Sequence, residues 1–277
     1  MDKLSTDFPL FQLGLGFLLA ILIALLAWRA QALSKSGAWA AVLTGGIIFG
    51  VGAIPWAVLL LVFFISSSAL SRAFRSQKLG VNEKYAKGSR RDWQQVFANG
   101  GLGMFLALVF ALWPDQPWIW LAFTGAMAAV NADTWATELG VLSPTAPRLV
   151  TNGQVVERGT SGGISLLGGL AALAGGLLVG CVAALVSPGW NGWVLIGAAT
   201  LGGLAGSFFD SLLGATLQGI YYCPACQKET ERHPLHSCGT ETIQRRGWRI
   251  VDNEVVNFAC SVMGALVAVG VGQLLLK

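Results

Sequence analysis

Long apolar runs separated by short polar stretches dominate this chain. Many of the runs reach about the 17–25 residues that a helix needs to cross a bilayer. Read against the glycine, proline and charged breakers, the pattern predicts helices at about 10–30, 38–53, 55–71, 94–113, 117–139, 161–186, 190–218 and 255–276. The second run is short and interrupted by glycine, so it could also be a segment that enters the membrane without spanning it. The expected fold is an all-α polytopic membrane bundle of about seven or eight transmembrane helices in a single domain, 1–277.

Composition excludes an ordinary soluble protein. The 277 residues are 54% hydrophobic and only 12% charged, with a mean hydropathy of +0.63, whereas soluble domains are about 25% charged. The chain start carries acids beside Lys3, and no small-residue cleavage site follows the first apolar run. We therefore expect the first run to be a retained helix rather than a removed signal peptide.

The basic residues predict how the helices are oriented. Seven bases lie between the third and fourth runs: Arg72, Arg75, Lys78, Lys84, Lys87, Arg90 and Arg91. The positive-inside rule makes that loop cytoplasmic. Alternation then places 31–37, 72–93, 140–160 and 219–254 inside. Position 54 and turns 114–116 and 187–189 face out without Lys or Arg, and both termini lie outside. If the second run does not span, the N-terminus moves inside.

A stripe of small residues marks the seventh predicted helix. At four-residue intervals the stripe contains Gly202, Gly206, Asp210, Gly214 and Gln218. Residues four apart share one side of a helix, so other backbones can approach this side closely. Such faces would also permit a homodimer.

Five polar clusters lie at predicted cytoplasmic helix ends: RRDWQQVFANGG (90–101), NADTWATELG (131–140), RGTSGGIS (158–165), GSFFDSLLGATLQ (206–218) and VDNEVVN (251–257). Acids inside membrane helices cost on the order of 3 kcal/mol each and usually face a cavity or a partner. Asp133, Glu138 and Asp210 are the clearest examples. Each could be a structural acid paired with a loop arginine, but their shared location favours a common site.

These acids have the chemistry of magnesium ligands. Carboxylate and Asn oxygens are ligands that Mg²⁺ prefers, often with substrate phosphates completing its shell. The candidates for one or two such sites are Asp133, Glu138, Asp210, Asp252 and Asn257. Asp133 and Glu138 lie five apart, roughly 140° around a helix, so they need not bind one ion.

Two segments could bind phosphate. GTSGGIS combines glycines with the hydroxyls of Thr160 and Ser161 before a helix start, which suits an anion, although a plain turn has the same composition. Arg91 shares a helix face with Gln95, and Asn99 follows. Arginine can bind phosphate bidentately; the alternative is a topology signal or a lipid-headgroup contact. No GxxxxGK[ST] motif occurs, so a nucleotide site would be built from helix ends.

The last cytoplasmic loop contains a Cys/His-rich insert, 219–250. Cys223, Cys226, Cys238 and one histidine would form a tetrahedral structural zinc site, a zinc-knuckle-like loop. We expect His236 to be the fourth ligand because HxC beside CxxC makes a compact site, and His233 remains an alternative ligand. The alternatives to a zinc site are a redox-active cysteine pair or free thiols. If both histidines bind zinc, any proton transfer falls to a carboxylate.

The five polar clusters, with GGLAGSFFDSLLGATLQ in full, resemble the signature segments of an integral-membrane family long described only as a domain of unknown function. That family includes the plant phytyl-phosphate kinase and a vertebrate transmembrane protein. The resemblance runs in order from Ser34 to Leu276. It implies a Mg²⁺-dependent membrane kinase, using CTP or another nucleotide, that phosphorylates an isoprenyl or phytyl monophosphate to the diphosphate at the cytoplasmic face of the cell membrane.

The polar clusters and the resemblance together give the expected site. By its motifs the resemblance implies metal and nucleotide ligands at Asp133, Glu138, Asp210, Asp252 and Asn257 and a phosphate cradle at Thr160, Ser161 and Gly163. The expected catalytic residues are Asp133, Glu138 and Asp210, and the expected magnesium ligands are Asp133, Asp210, Asp252 and Asn257. The expected substrate- and nucleotide-binding residues are Arg91, Gln95, Asn99, Asn131, Thr160, Ser161, Gly163, Ser207, Ser211, Gln218 and Asn253. The structural zinc ligands Cys223, Cys226, His236 and Cys238 are expected from residue type and spacing, not from the resemblance.

Three other functions stay open. Two are related reactions, CTP-dependent phosphorylation of a free prenol and cytidylyl transfer. The third is a transporter or flippase of an anionic lipid, which would use midplane acids and a broken second helix. The partners expected are lipids and a nucleotide, and no nucleic acid.

Overall fold

The computed structural model describes residues 10–74 and 84–276. These residues form seven helices: α1 Leu10–Arg29, α2 Lys35–Ala73, α3 Trp93–Leu112, α4 Pro117–Gly140, α5 Leu166–Val186, α6 Gly192–Thr216 and α7 Asn253–Leu275. Short strands β1 Arg148–Leu149 and β2 Gly163–Ile164 pair antiparallel, and β3 Ile220–Cys223 pairs antiparallel with both β4 Lys228–Thr230 and β5 Ile243–Arg246. The predicted chain start before Leu10 and the bases Arg75 and Lys78 lie outside the described residues.

The predicted helices match the observed ones with two corrections. The segment predicted at 161–186 begins at Leu166, because Ser165 caps the helix by accepting from the Gly168 N–H, and residues 158–165 form a loop that includes β2. The segments at 38–53 and 55–71 are parts of the single element α2.

The two halves of α2 nevertheless run in opposite directions. The Ser34 N–H donates to the Arg91 carbonyl at 2.9 Å, and the Arg91 guanidinium donates to Ser67 Oγ at 2.8 Å. Ser34 and Ser67 therefore both lie beside Arg91, whereas a straight helix would separate them by roughly 50 Å. The element folds back near its middle, where Pro55 lacks the N–H that a continuous helix needs. This agrees with the turn predicted at 54.

Six helical segments of the described chain are long and apolar enough to cross a membrane: Leu10–Arg29, Ile54–Ala73, Trp93–Leu112, Leu166–Val186, Gly192–Thr216 and Asn253–Leu275. Many large apolar side chains on these segments are exposed, among them Leu18, Phe105 and Leu266. Such side chains suit a lipid environment. The all-α membrane bundle predicted from the sequence is confirmed.

Helix α4 is the centre of the bundle. Every residue from Ile119 to Ala132 is buried, and α2, α3, α5, α6 and α7 all pack against this helix. Glycines make the packing close: a Cβ added to Gly206 would lie 2.5 Å from Ala129 Cβ, and one added to Gly202 would lie 2.7 Å from the Gly264 carbonyl oxygen. The close approach predicted for the α6 stripe is therefore confirmed.

The polar loops meet at one end of the bundle. Lys84 forms an ion pair with Glu157 at 2.7 Å, which joins the loop before α3 to the loop before α5. Lys87 pairs with Glu254 at the start of α7, at 2.8 Å. The loops predicted to share one side of the membrane thus lie together.

Candidate active site

A cavity of about 570 Å³ lies at the end of the bundle where the loops meet. Helices α2 to α7 and the connecting loops all contribute to its lining. The predicted site residues that line it are Arg91, Gln95, Asn99, Asp133, Glu138, Thr160, Ser161, Gly163, Ser207, Asp210, Ser211, Gln218, Asn253 and Asn257. The structure therefore gathers most of the predicted set, which is drawn from five separate segments of the chain.

Asp133 and Asp210 come together because of how α4 and α6 pack. The two helices run in the same direction and touch where Gly206 meets Ala129. Each acid follows its contact residue by four positions, about one helical turn further on the same side. Ser207, which lies on α6 three residues before Asp210, has its Oγ 3.5 Å from Asp133 Oδ1.

The donor set fits a divalent cation. Oδ2 of Asp210 is buried and has no hydrogen-bond partner in the described part of the chain, and an unpaired buried oxygen is costly unless a ligand satisfies it. Asn257 donates its Nδ2 to a carbonyl one turn earlier at 2.8 Å, which leaves its Oδ1 as the group available to a ligand. Asp252 differs from this prediction: its side chain is exposed and caps α7 by accepting from the Val255 N–H, and it does not line the cavity.

Arg91 places a cation in the lining of the same cavity. Its guanidinium lies 5.0 and 5.7 Å from the ring centres of Phe63 and Phe64 and donates to Ser67 Oγ. Burial lowers the pKa of Arg91 to about 10, so the group stays charged at neutral pH. Among the described residues no carboxylate pairs with it. A partly desolvated guanidinium without an acid is suited to bind an anionic ligand.

The two predicted residues within α3, Gln95 and Asn99, organise the start of that helix. Gln95 forms a capping box with Asp92, since each side chain accepts from the other residue's N–H. Asn99 Nδ2 donates to the Gln95 carbonyl at 2.8 Å. Both residues hold the α3 terminus at the cavity wall, next to Arg91.

The segment predicted as a phosphate cradle is a tight loop that uses two of its own backbone donors. Gly159 and Gly162 have φ of +76° and +84°, values that glycine adopts readily. The Thr160 N–H donates to Glu157 and the Gly163 N–H to Thr160, at 3.1 and 2.9 Å. Those two amides close turns within the loop rather than facing a ligand.

The Cys/His cluster predicted from the sequence is present. The ligand atoms of Cys223, Cys226, His236 and Cys238 all lie within 4.8 Å of one another. His233 lies apart: its ring stacks on Tyr221 and its Nε2 accepts from Arg249. The geometry therefore selects His236, and the four residues could hold a zinc ion.

Comparison with known proteins now decides the family. The family model described as integral membrane protein DUF92 matches residues 18–265. The chain belongs to the DUF92 family. It is 34% identical to Protein PGR of Arabidopsis thaliana over 272 residues, 90% of this chain and 92% of that protein. It is 28% identical to the uncharacterized membrane protein MJ0933 of Methanocaldococcus jannaschii, covering 96% and 97% of the two chains.

The comparison also reaches Protein VTE6, chloroplastic, of Arabidopsis thaliana, at 24% identity over 88% of this chain and 67% of that protein. No solved structure matches the chain significantly. The resemblance inferred from the signature segments, to the integral-membrane family of the plant phytyl-phosphate kinase, is thus confirmed at the level of the family.

In this DUF92 protein, Asn131 lies away from the cavity although it begins a signature segment. Its side chain is fully buried, accepts from Ser66 Oγ at 2.9 Å and donates to the Gly175 carbonyl at 2.9 Å. Asn131 and Asp133 are two residues apart, roughly 200° around the helix, so they face different neighbours. The structure places Asn131 as a link between α2, α4 and α5.

Glu231 is a cavity residue that the sequence analysis did not single out. One of its carboxylate oxygens accepts from Ser161 Oγ at 2.9 Å and Gln218 Nε2 at 3.0 Å, and the other accepts from the Ala86 N–H at 3.3 Å. Burial raises its pKa. Glu231 lies in a charged stretch beside the cysteines, where no periodic pattern distinguishes an acid facing a cavity from one facing water. Glu254 and Lys87 were missed in the same way.

A second, smaller cavity adjoins the first. It has a volume of about 70 Å³ and lies between α1, α2 and α3, where its lining is almost wholly apolar. Arg91, Gln95 and Asn99 line both cavities. A polar chamber and an apolar one therefore meet at the start of α3.

Proposed function

We propose that this protein is a membrane prenyl-phosphate kinase, which transfers a phosphoryl group from a nucleotide, CTP by preference, to an isoprenyl or phytyl monophosphate. The observation that carries the proposal is the cavity in which Asp133 and an unsatisfied Asp210 oxygen face the same space as Arg91. Membership of the DUF92 family and similarity to Protein VTE6 support the assignment.

The two adjoining cavities suit an amphiphilic substrate. In this proposal the monophosphate lies beside Arg91, whose charge no carboxylate of the described chain neutralises. The first part of the prenyl chain enters the apolar cavity behind it, lined by side chains such as Phe49 and Leu60. The remainder of the chain lies along the apolar helix surfaces within the lipid.

The acids that line the same cavity would hold the donor nucleotide's phosphates through a metal ion. Asp133, Asp210 and Asn257 are the groups that would hold Mg²⁺, which when bound supplies charge neutralisation for donor and acceptor phosphates. Arg158, at the rim, is fixed by donating to the Ser143 carbonyl at 2.7 Å. It adds positive charge on the side of the loops.

The reaction requires little beyond positioning. An oxygen of the acceptor monophosphate forms a bond to the γ-phosphorus of the nucleotide, the bond to the bridging β–γ oxygen breaks, and the nucleoside diphosphate leaves. A phosphate monoester has a second pKa of about 6, so it is mostly dianionic at neutral pH and no side chain has to remove a proton. This agrees with a cavity lining that contains no histidine among the described residues.

The same proposal orients the protein. The bundle end that carries the cavity also carries the basic loops, whereas the turns at 113–116 and 187–191 contain no Lys or Arg. By the positive-inside rule the cavity and the Cys/His-rich insert face the cytoplasm, where nucleotide is available.

The direct test is an assay of the purified protein in detergent or nanodiscs. Mg²⁺, labelled CTP, ATP, GTP or UTP and farnesyl, geranylgeranyl or phytyl monophosphate are supplied, and the diphosphate is measured. Asp210→Asn should abolish its formation. Asp115→Asn, the same change in the exposed turn before α4, should leave it intact.

Two results would redirect the proposal. Product formed from free prenol, or cytidylyl transfer with release of pyrophosphate, would assign a related reaction to the same cavity. If no nucleotide is consumed with any prenyl phosphate, while reconstituted vesicles move an anionic lipid in an Asp210-dependent way, the kinase assignment is wrong and the protein is a transporter.

A further inference from the structure

The Cys/His cluster has the spacing of a tetrahedral zinc site. Zn–S bonds of about 2.3 Å place sulfurs at neighbouring tetrahedral corners roughly 3.8 Å apart. Cys223 Sγ and Cys238 Sγ are 3.6 Å apart, and His236 Nδ1 lies 3.2 Å from Cys238 Sγ. All four ligand atoms lie within 4.8 Å of one another. The side chains therefore have both the identity and the arrangement that zinc requires.

Glu231 lies in the chain between the first and the second half of the Cys/His cluster. Cys226 lies five residues before this acid and His236 five residues after it. Strands β3 and β4 form a hairpin with Cys223 paired opposite Lys228, so the cluster lies at the turn, and β4 leads directly to Glu231. A metal at the turn would fix both chain segments that reach Glu231.

Glu231 in turn joins three parts of the cavity wall. Its carboxylate accepts from Ser161, Gln218 and Ala86, and its own N–H donates to the Lys84 carbonyl at 2.8 Å. These partners belong to the loop before α5, the end of α6 and the loop before α3. The neighbouring strand β5 reinforces the contact, because Arg246 donates to the carbonyls of Gly214 and Ser161.

We propose that the Cys₃His cluster binds zinc and that this zinc holds Glu231 in the cavity wall as a positioning residue for the loops around it. The insert is then part of the candidate active site rather than a peripheral module. The zinc and the loop contacts are independent of the kinase assignment, and only the activity measurement below rests on it.

The test uses the full-length protein in detergent and begins with metal analysis. The wild type should carry about one zinc per chain. Cys238→Ser should lose it, and Cys181→Ser, a cysteine change in α5 outside the insert, should keep it. Absence of zinc from protein purified without chelator and supplied with the metal would overturn the proposal.

Hydrogen exchange then measures the coupling to the cavity. Removal of zinc from the wild type by a chelator should accelerate hydrogen exchange at the amides of Ala86 and Glu231 by roughly tenfold. The Ala86 N–H would lose its bond to the Glu231 carboxylate, and the Glu231 N–H would lose its bond to the Lys84 carbonyl. Glu231→Ala should keep its zinc and accelerate exchange at Ala86. Faster exchange confined to the insert, with Ala86 unchanged on zinc removal, would refute the coupling.

Activity separates this inference from the proposed function. Where the protein converts a prenyl monophosphate, zinc removal and Glu231→Ala should both lower turnover, and Cys181→Ser should not. Where no kinase activity is found, the metal content and the exchange at Ala86 still decide the proposal.

Discussion

Replacing Gly206 with alanine inserts a methyl group at the point where α4, α6 and α7 meet. The added Cβ would lie 2.5 Å from Ala129 Cβ and 2.8 Å from the Cys260 carbonyl oxygen. Ordinary carbon contacts are about 3.5–4.0 Å, so the helices must separate by roughly 1 Å. Neither neighbour can rotate away, because one is a Cβ and the other is backbone.

The cost follows from that overlap. Overpacking of this kind costs about 1–3 kcal/mol, partly offset by up to about 1 kcal/mol from the better helix propensity of alanine. Gly270→Ala in α7 is the matched control, because nothing lies within 4 Å of its added Cβ. It gains the same propensity without the overlap, so the difference between the two variants isolates the packing cost.

The assay is thermal unfolding in detergent, followed by the fluorescence of the 11 tryptophans. Gly206→Ala should unfold about 2–10 °C below Gly270→Ala. Asp210 lies one turn beyond Gly206, and a 1 Å displacement of a catalytic group can cost roughly 100-fold in rate, so turnover should fall as well. Equal unfolding temperatures and equal turnover would refute the idea that this contact sets the spacing of α4 and α6.

Three further substitutions separate roles that the structure distinguishes. Arg91→Gln should weaken binding of the monophosphate roughly 10- to 100-fold in a titration with labelled substrate. Arg90→Gln, which changes the exposed neighbouring arginine, should have little effect. Equal losses of affinity in the two variants would count against a phosphate site at Arg91. Asn131→Ala leaves the Gly175 carbonyl without the Asn131 donor, so it should lower the free energy of unfolding by about 1–3 kcal/mol. Turnover per folded molecule should be unchanged. Selective loss of nucleotide binding would instead support the nucleotide-binding role predicted from the sequence. Asp252→Ala should lower the free energy of unfolding by about 1 kcal/mol through loss of the α7 cap. Asp252→Ser, which can still cap the helix, should recover both stability and turnover. If both variants altered the Mg²⁺ requirement, Asp252 would be a metal ligand.

Much of this fold could be predicted because a bilayer limits the choices. Apolar runs of spanning length have to be helices, and the basic loops indicate which ends share a side. Even the reversal within α2 was visible, since Pro55 and its neighbouring glycines interrupt an apolar run too long for one crossing. The Cys/His cluster was equally accessible, because ligand type and spacing define a zinc site locally.

The position of each helix in the bundle could not be read in this way. Apolar content does not distinguish a helix that faces lipid from one surrounded by protein, and α4 is central because its small residues allow five neighbours to approach. For the same reason Asn131 and Asp133 looked equivalent in one motif. Which of them faced the cavity depended on the rotation of α4, which its neighbours determine.

Glu231 shows a different limit. Its place in the cavity depends on a contact between the insert and loops up to 147 residues earlier in the chain, such as the N–H bond to Lys84. Hydrophobic periodicity carries no information about such a contact. The insert could therefore be predicted as a metal-binding module but not as a wall of the site.

The candidate metal ligands lie at similar heights along the bundle because α4, α6 and α7 each place one ligand about one helical turn from the contact at Gly206. In α4, Ala129 makes the close contact and Asp133 follows one turn nearer the loops. In α6, Gly206 makes the contact and Asp210 follows in the same way. Helix α7 runs in the opposite direction, so Asn257 lies about one turn before Cys260, whose carbonyl touches Gly206. Close packing of small residues thus brings three oxygen donors from distant parts of the sequence into the lining of one cavity. The spacing of α4, α6 and α7 at that cavity depends on the glycine contact one turn away.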